Sequence, residues 1–158
     1  MNLRMKNILT LILVRLCGVR IGFLKKVTNP KGTITTDISK KSGVYFWNNG
    51  IGYGSVDWTN PDNFDLYGAG FISICNVGAI TRLGDIITIP ATGFTVPSQS
   101  DKSIACKAGY GYVIKMTNRN NLTAYARLYV VKRIVDKNRK TAGAIVRYQF
   151  PFVPIRTQ

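Results

Sequence analysis

Residues Tyr110–Phe152 read YGYVIKMTNRNNLTAYARLYVVKRIVDKNRKTAGAIVRYQFPF, and their pattern predicts three strands in a meander. In the first, Tyr110, Tyr112, Ile114 and Met116 alternate with Gly111, Val113 and Lys115. In the second, Ala126, Leu128 and Val130 alternate with Tyr125, Arg127, Tyr129, Val131 and Arg133. In the third, Ala144, Val146, Tyr148 and Phe150 alternate with Ile145, Arg147 and Gln149. A period of two, rich in β-branched and aromatic residues, places one side of each strand in a core and the other in water. Asn118–Asn121 and Asp136–Lys140 supply the two polar connections. Pro151 and Pro154 end the ladder, because proline has no N–H to donate.

Working outward, the chain of 158 residues is long enough for one domain with a real core. Its composition is 46% hydrophobic and 11% aromatic, which places it among folded rather than disordered chains. It contains no His and no Glu, and its seven acids are all Asp. The usual general base and the usual ligands of zinc, haem and copper are therefore missing, so neither an enzyme nor a cofactor is expected. The net charge of +15 is uneven. Residues 43–100 are slightly acidic, whereas residues 101–158 carry most of the cations. Such asymmetry can mark an anionic partner such as nucleic acid or a membrane surface, but a solvated, Lys-rich sheet face is the plainer explanation.

Residues 1–24 have the layout of an export leader. Arg4 and Lys6 precede the apolar run Ile8–Val14, the order of a basic n-region and an apolar h-region. The run is short for a membrane span, and Arg15 and Arg20 would be costly inside one. Cys17 stands where a lipid-anchored cysteine would, giving membrane attachment through the N-terminus, although Arg15 and Leu16 do not fit the usual residues before such a site. Residues 25–43 are polar and read as a tether to a β domain at 44–158.

Within that domain Val44–Trp47 and Gly52–Trp58 read as strands joined by Asn48-Asn49-Gly50, a type I′ hairpin signal. Phe71–Val77 and Asp85–Ile89 read as two more strands, with Gly78 and Gly84 as turn or bulge positions. Asp57, Asp62, Asn63 and Asp65 crowd together, but their spacing is not that of a calcium loop and turn chemistry accounts for them. Cys75 and Cys106 could pair in an exported domain or sit apart as buried thiols.

The motifs Asn76-Val77-Gly78 through Pro90, Gly111-Tyr112-Val113, Tyr125-Ala126-Arg127-Leu128-Tyr129-Val130-Val131 and Tyr148-Gln149-Phe150-Pro151-Phe152 resemble a pattern of small Bacteroidetes-type exported lipoproteins of unknown function. The resemblance covers about half the chain, mostly C-terminal. It implies export, anchoring at the outer membrane, cell surface or periplasm, and a β-rich domain. It implies no catalytic residue.

The fold expected is thus all-β, a small barrel or a two-layer sandwich of about seven or eight strands ending in the meander. The function expected is a non-enzymatic envelope or surface protein that binds or builds. The alternative is a basic nucleic-acid-binding module, whose binding face would be Tyr125, Arg127, Tyr129 and Arg133 on one strand with Arg147 and Gln149 on the next. An enzyme would need a carboxylate pair drawn from Asp57, Asp62, Asp65 and Asp85, and nothing in their spacing provides one.

Overall fold

The computed structural model describes residues 24–27, 31–35, 43–60, 63–67, 71–96 and 103–154. The meander forms where its periodicity placed it. Strands β8 (Tyr110–Thr117), β9 (Thr123–Val135) and β10 (Thr141–Gln149) pair antiparallel in sequence order. Ladder pairing stops at Gln149, ahead of Pro151.

The meander is the centre of a five-stranded sheet completed by β2 (Lys31–Thr35) beside β10 and β6 (Phe71–Ala79) beside β8. A second five-stranded sheet runs β1 (Leu24–Val27), β3 (Gly43–Asn48), β4 (Ile51–Asn60), β5 (Asn63–Tyr67) and β7 (Ser103–Ala105). The two sheets face each other as a sandwich, which decides against the barrel. We call them the meander sheet and the hairpin sheet.

The main core lies between them. From the meander sheet come Ile34, Ile72, Ile74, Tyr112, Ile114, Met116, Ala126, Leu128, Val130, Ala144, Val146 and Tyr148; from the hairpin sheet come Val44, Phe46, Tyr53 and Val56. Phe150, just past β10, sets its ring 5.1 Å from Phe46, tilted, and 5.6 Å from Tyr53, edge-on, so one aromatic trio joins the layers. Tyr112 is fully buried, and its hydroxyl is satisfied by donating to the Ala105 carbonyl and accepting from the Lys107 N–H, each at 2.9 Å. Burial pushes that phenol up to about 12.

The β3–β4 turn has Asn49 at φ 48° and Gly50 at φ 80°, both in the left-handed region that a two-residue type I′ turn requires. The ladder between β6 and β8 shifts register between Asn76 and Gly78, so of the turn and the bulge open at Gly78 the structure has an irregularity within the ladder. Gly111 is a close approach: a Cβ there would stand 2.5 Å from the Ile80 side chain.

Three expectations are corrected. Part of the stretch at 25–43, read as a tether, is sheet: β1 lies parallel to β3, and β2 pairs with β10. The reason is Ile34, opposite Val146 and buried in the core between two β-branched threonines. The domain therefore begins before residue 44. Asp85–Ile89 is not a strand. Leu83–Asp85 is a short 3-10 turn, and Ile86 leaves it to bury against the meander sheet. Ten strands, rather than seven or eight, appear among the described residues. The expected leader, with Cys17, lies outside them.

Candidate functional site

The outer face of the meander sheet collects what the sequence marked as a binding face. Residues directly opposite in an antiparallel ladder share a face. Arg127 stands opposite Gln149 and Val113, and Tyr129 opposite Arg147 and Gly111. Tyr125, two residues from Arg127, lies on the same side. Five of the six predicted residues thus share one surface.

Arg133 does not. The β9–β10 register steps between Ile145 and Val146, so that Ile145 faces Lys132 while Val146 faces Val130. Val131 is the extra residue of a bulge, and past it the parity of β9 reverses. Arg133 falls opposite Ala144, a core residue, and hydrogen-bonds Thr141 Oγ1. A count by twos cannot see that inversion.

The shared surface is itself divided by a strap, residues 80–96, fastened at three places. Ile80 N–H donates to the Gly109 carbonyl at 2.9 Å. Thr95 exchanges both backbone hydrogen bonds with Ile74, at 2.8 and 3.0 Å. Between these ends a second apolar cluster forms from Ile86, Val113 and Phe152, with Ile80, Leu83, Ile89, Phe94 and Tyr125 packed against it. Tyr125 is part of this packing, its ring 6.4 Å from Phe94.

Arg127 is the centre of the fastening. One guanidinium nitrogen donates to the Ile86 carbonyl on the strap, Nε donates to Gln149 Oε1 at 2.8 Å, and the cation lies 4.7 Å from the centroid of the Phe152 ring. Burial pushes its pKa below the ordinary arginine range. Its partners are a carbonyl, an amide and a π face. Tyr125, Arg127 and Gln149 are therefore engaged within the molecule, while Tyr129 and Arg147 lie beyond the strap.

The first turn of the strap is organised by Asp85. Its carboxylate accepts from Thr81 Oγ1 at 2.8 Å, from the N–H groups of Thr81 and Arg82 at 3.0 and 3.1 Å, and from Arg82 Nε at 3.0 Å. The Thr81 hydroxyl, the Thr81 N–H and the Arg82 side chain hold its pKa at about 2, against an ordinary 3.8. A carboxyl depressed on folding contributes stability that is full above its unfolded value and is lost as pH falls through the folded one. The strap's first turn should thus hold at pH 5 and loosen from about pH 4 down to about pH 2. Amide exchange at Thr81 and Arg82 reports this directly. Opening already complete at pH 5, or no change on Asp85→Asn, would contradict it.

No disulfide joins Cys75 to Cys106, and both residues are buried. Cys75 follows Ile74 on β6 and so faces outward, with Sγ 3.7 Å from the Thr92 carbonyl of the strap, whereas Cys106 belongs to the core between the sheets. The meander sheet stands between them. Of the four Asp residues considered for a carboxylate pair, the β4–β5 register puts Asp57 opposite Asp65. Asp85 is on the strap, and Asp62 lies outside the described residues. No group of three or more His, Cys, Asp or Glu suited to a metal ion occurs among the described residues.

No protein-family model matches the chain, and no curated protein matches it. Among solved structures it is similar to a candidate lipoprotein from Bacteroides fragilis, at 12% identity over 80% of this chain and 92% of that one, with a TM-score of 0.44. It is similar too to a candidate HmuY-like haem-binding protein from Bacteroides vulgatus, at 12% identity over 78% and 93% of the respective chains, with a TM-score of 0.43.

Proposed function

We propose that the chain is an exported β-sandwich of the cell envelope or surface, held by its N-terminus, which binds or builds rather than transforms. The observation that carries the proposal is the order Arg4, Lys6, then Ile8–Val14, then Cys17, set directly ahead of a sandwich. The C-terminal motifs resembling exported lipoproteins support the same reading. The absence of His and Glu from the whole sequence removes the commonest acid–base groups from any catalytic scheme.

Intact mass of the natively expressed chain, after cell fractionation, tests it. The expected product is a shortened chain in the envelope fraction, with the added mass of acyl chains if Cys17 is the anchor. Recovery of only the unprocessed chain, in cytosol, would overturn it.

A further inference from the structure

The strap covers the outer face of the meander sheet over β8 and the Tyr125–Arg127 part of β9. Beyond it, among the described residues, β2, β10 and the later part of β9 run side by side with Lys31, Thr33, Thr35, Lys132 and Arg147 exposed. Their outward residues follow from the register. Lys31 stands opposite Gln149, Thr33 opposite Arg147, and Thr35 opposite Ile145; Arg147 and Ile145 in turn face Tyr129 and Lys132. Lys31, Arg147 and Lys132 are exposed. They step diagonally across three adjacent strands, about 8 Å apart by strand geometry.

Among the described residues nothing acidic answers them. β2, β9 and β10 contain no Asp. Asp136, just past β9, turns its carboxylate into its own loop, accepting from the N–H groups of Asn138 and Lys140 at 2.7 and 3.0 Å. The ion pair seen among the described residues, Arg82 with Asp85, is on the strap. Like charges on neighbouring strands repel, so the fold carries them at some cost to itself.

We propose that this strip, built on Lys31, Arg147 and Lys132 and carrying Thr33, Thr35 and Tyr129 between them, rests on an anionic lipid surface. The assignment rests on the envelope reading above. It draws on the spacing of the strip as well, because evenly spaced cations beside hydroxyls on one sheet face suit an array of headgroup phosphates. Single-stranded nucleic acid would want exposed aromatic platforms. Tyr125 is packed under the strap, which leaves Tyr129 as the aromatic of the strip. The chain's connectivity agrees. Leu24, the start of β1, is seven residues from Cys17, a reach of at most about 25 Å. A chain anchored there holds the edge formed by β1 and β2 near the bilayer, and Lys31 is on β2.

The test compares the full chain with the triple variant Lys31→Gln, Lys132→Gln, Arg147→Gln. Both are bound to vesicles of phosphatidylcholine alone and of phosphatidylcholine mixed with phosphatidylglycerol. Wild type should bind the anionic vesicles more tightly, and added salt should remove the excess. Each neutralised cation should cost roughly fivefold, so the triple variant should lose on the order of a hundredfold on anionic vesicles. Binding to neutral vesicles, which reports the apolar leader, should not change. All three residues are exposed and repel one another, so the unfolding midpoint should not fall below the wild-type value. The double variant Lys137→Gln, Lys140→Gln, off the strip, should lose much less per charge. Equal loss per charge in the two variants would reduce the effect to net charge and overturn the strip. Wild-type anionic binding by the triple variant would do the same, as would displacement from the vesicles by mixed-sequence oligonucleotides at lower phosphate concentration. Failure of the envelope reading shows separately, in the fractionation and mass experiment.

Discussion

Phe150→Ala should destabilise the protein by about 3–5 kcal/mol, the largest loss expected from a single side chain in this fold. Phe150 is 2% exposed and is the ring through which the meander sheet touches Phe46 and Tyr53 of the hairpin sheet. Its removal takes away a full aromatic side chain and two ring contacts, and it opens a cavity between two layers that are each braced by their own ladders. Neither layer can move in without breaking register, so the hole should stay largely open. Urea denaturation measures the loss, and thermal unfolding should fall on the order of 10 °C. Val153→Ala, three residues on and 75% exposed, is the matched control, with an expected change within about 0.5 kcal/mol. Comparable losses from the two substitutions would mean that Phe150 does not join the sheets.

The same C-terminal segment shows how far the sequence could be read. The meander was legible because each strand repeats by twos and each turn is polar, and such patterns are local. β2 was not, because KGTIT has one apolar residue, and what makes it a strand is a partner more than a hundred residues away, where Ile34 meets Val146. Asp85–Ile89 misled for the opposite reason. Its β-branched residues look like a strand, but Asp85 finds four donors within its own turn, and Ile86 gains more by burial against Val113 and Phe152 than by pairing. Phe152 shows the limit of the count by twos. After Phe150 enters the core, strict alternation would send Phe152 there as well, yet its N–H bonds the Tyr125 carbonyl at 2.7 Å and its ring lies on the outer face beneath Arg127. The binding face suffered similarly. Its aromatic and basic pattern was visible, but neither the bulge that turns Arg133 inward nor the strap that occupies Tyr125 and Arg127 leaves a local signature. Lys31 and Lys132, the strip's other cations, could have been found only by knowing the register.

Arg127→Ala should release the strap while leaving the sandwich folded. The guanidinium makes two hydrogen bonds with a charged donor and one cation–π contact, and the Ile86 carbonyl and Gln149 side chain would lose those bonds together. Because Arg127 is only partly buried, water can replace some of what is lost. The strap's closing free energy should fall by about 2–3 kcal/mol. The strap carries its own reporter. Arg82 is 77% exposed and offers a tryptic site once the backbone around it opens. When opening and reclosing outpace cleavage, the rate follows the open population, so cleavage after Arg82 should rise roughly 30- to 150-fold. Arg127→Met separates charge from packing. It keeps apolar contact with Phe152 and leaves the Ile86 carbonyl bare, so it should recover about half of the effect. Arg147→Ala, on the same face but clear of the strap, should leave cleavage unchanged. An unchanged rate in Arg127→Ala would show that the strap is held by its apolar cluster alone. If cleavage rises instead in step with global unfolding, strap and sandwich are one cooperative unit, and Tyr125 is core. If the strap opens by itself, Tyr125 and the Val113 face are uncovered beside Tyr129 and Arg147, and the open strip gains an apolar margin from residues already in place.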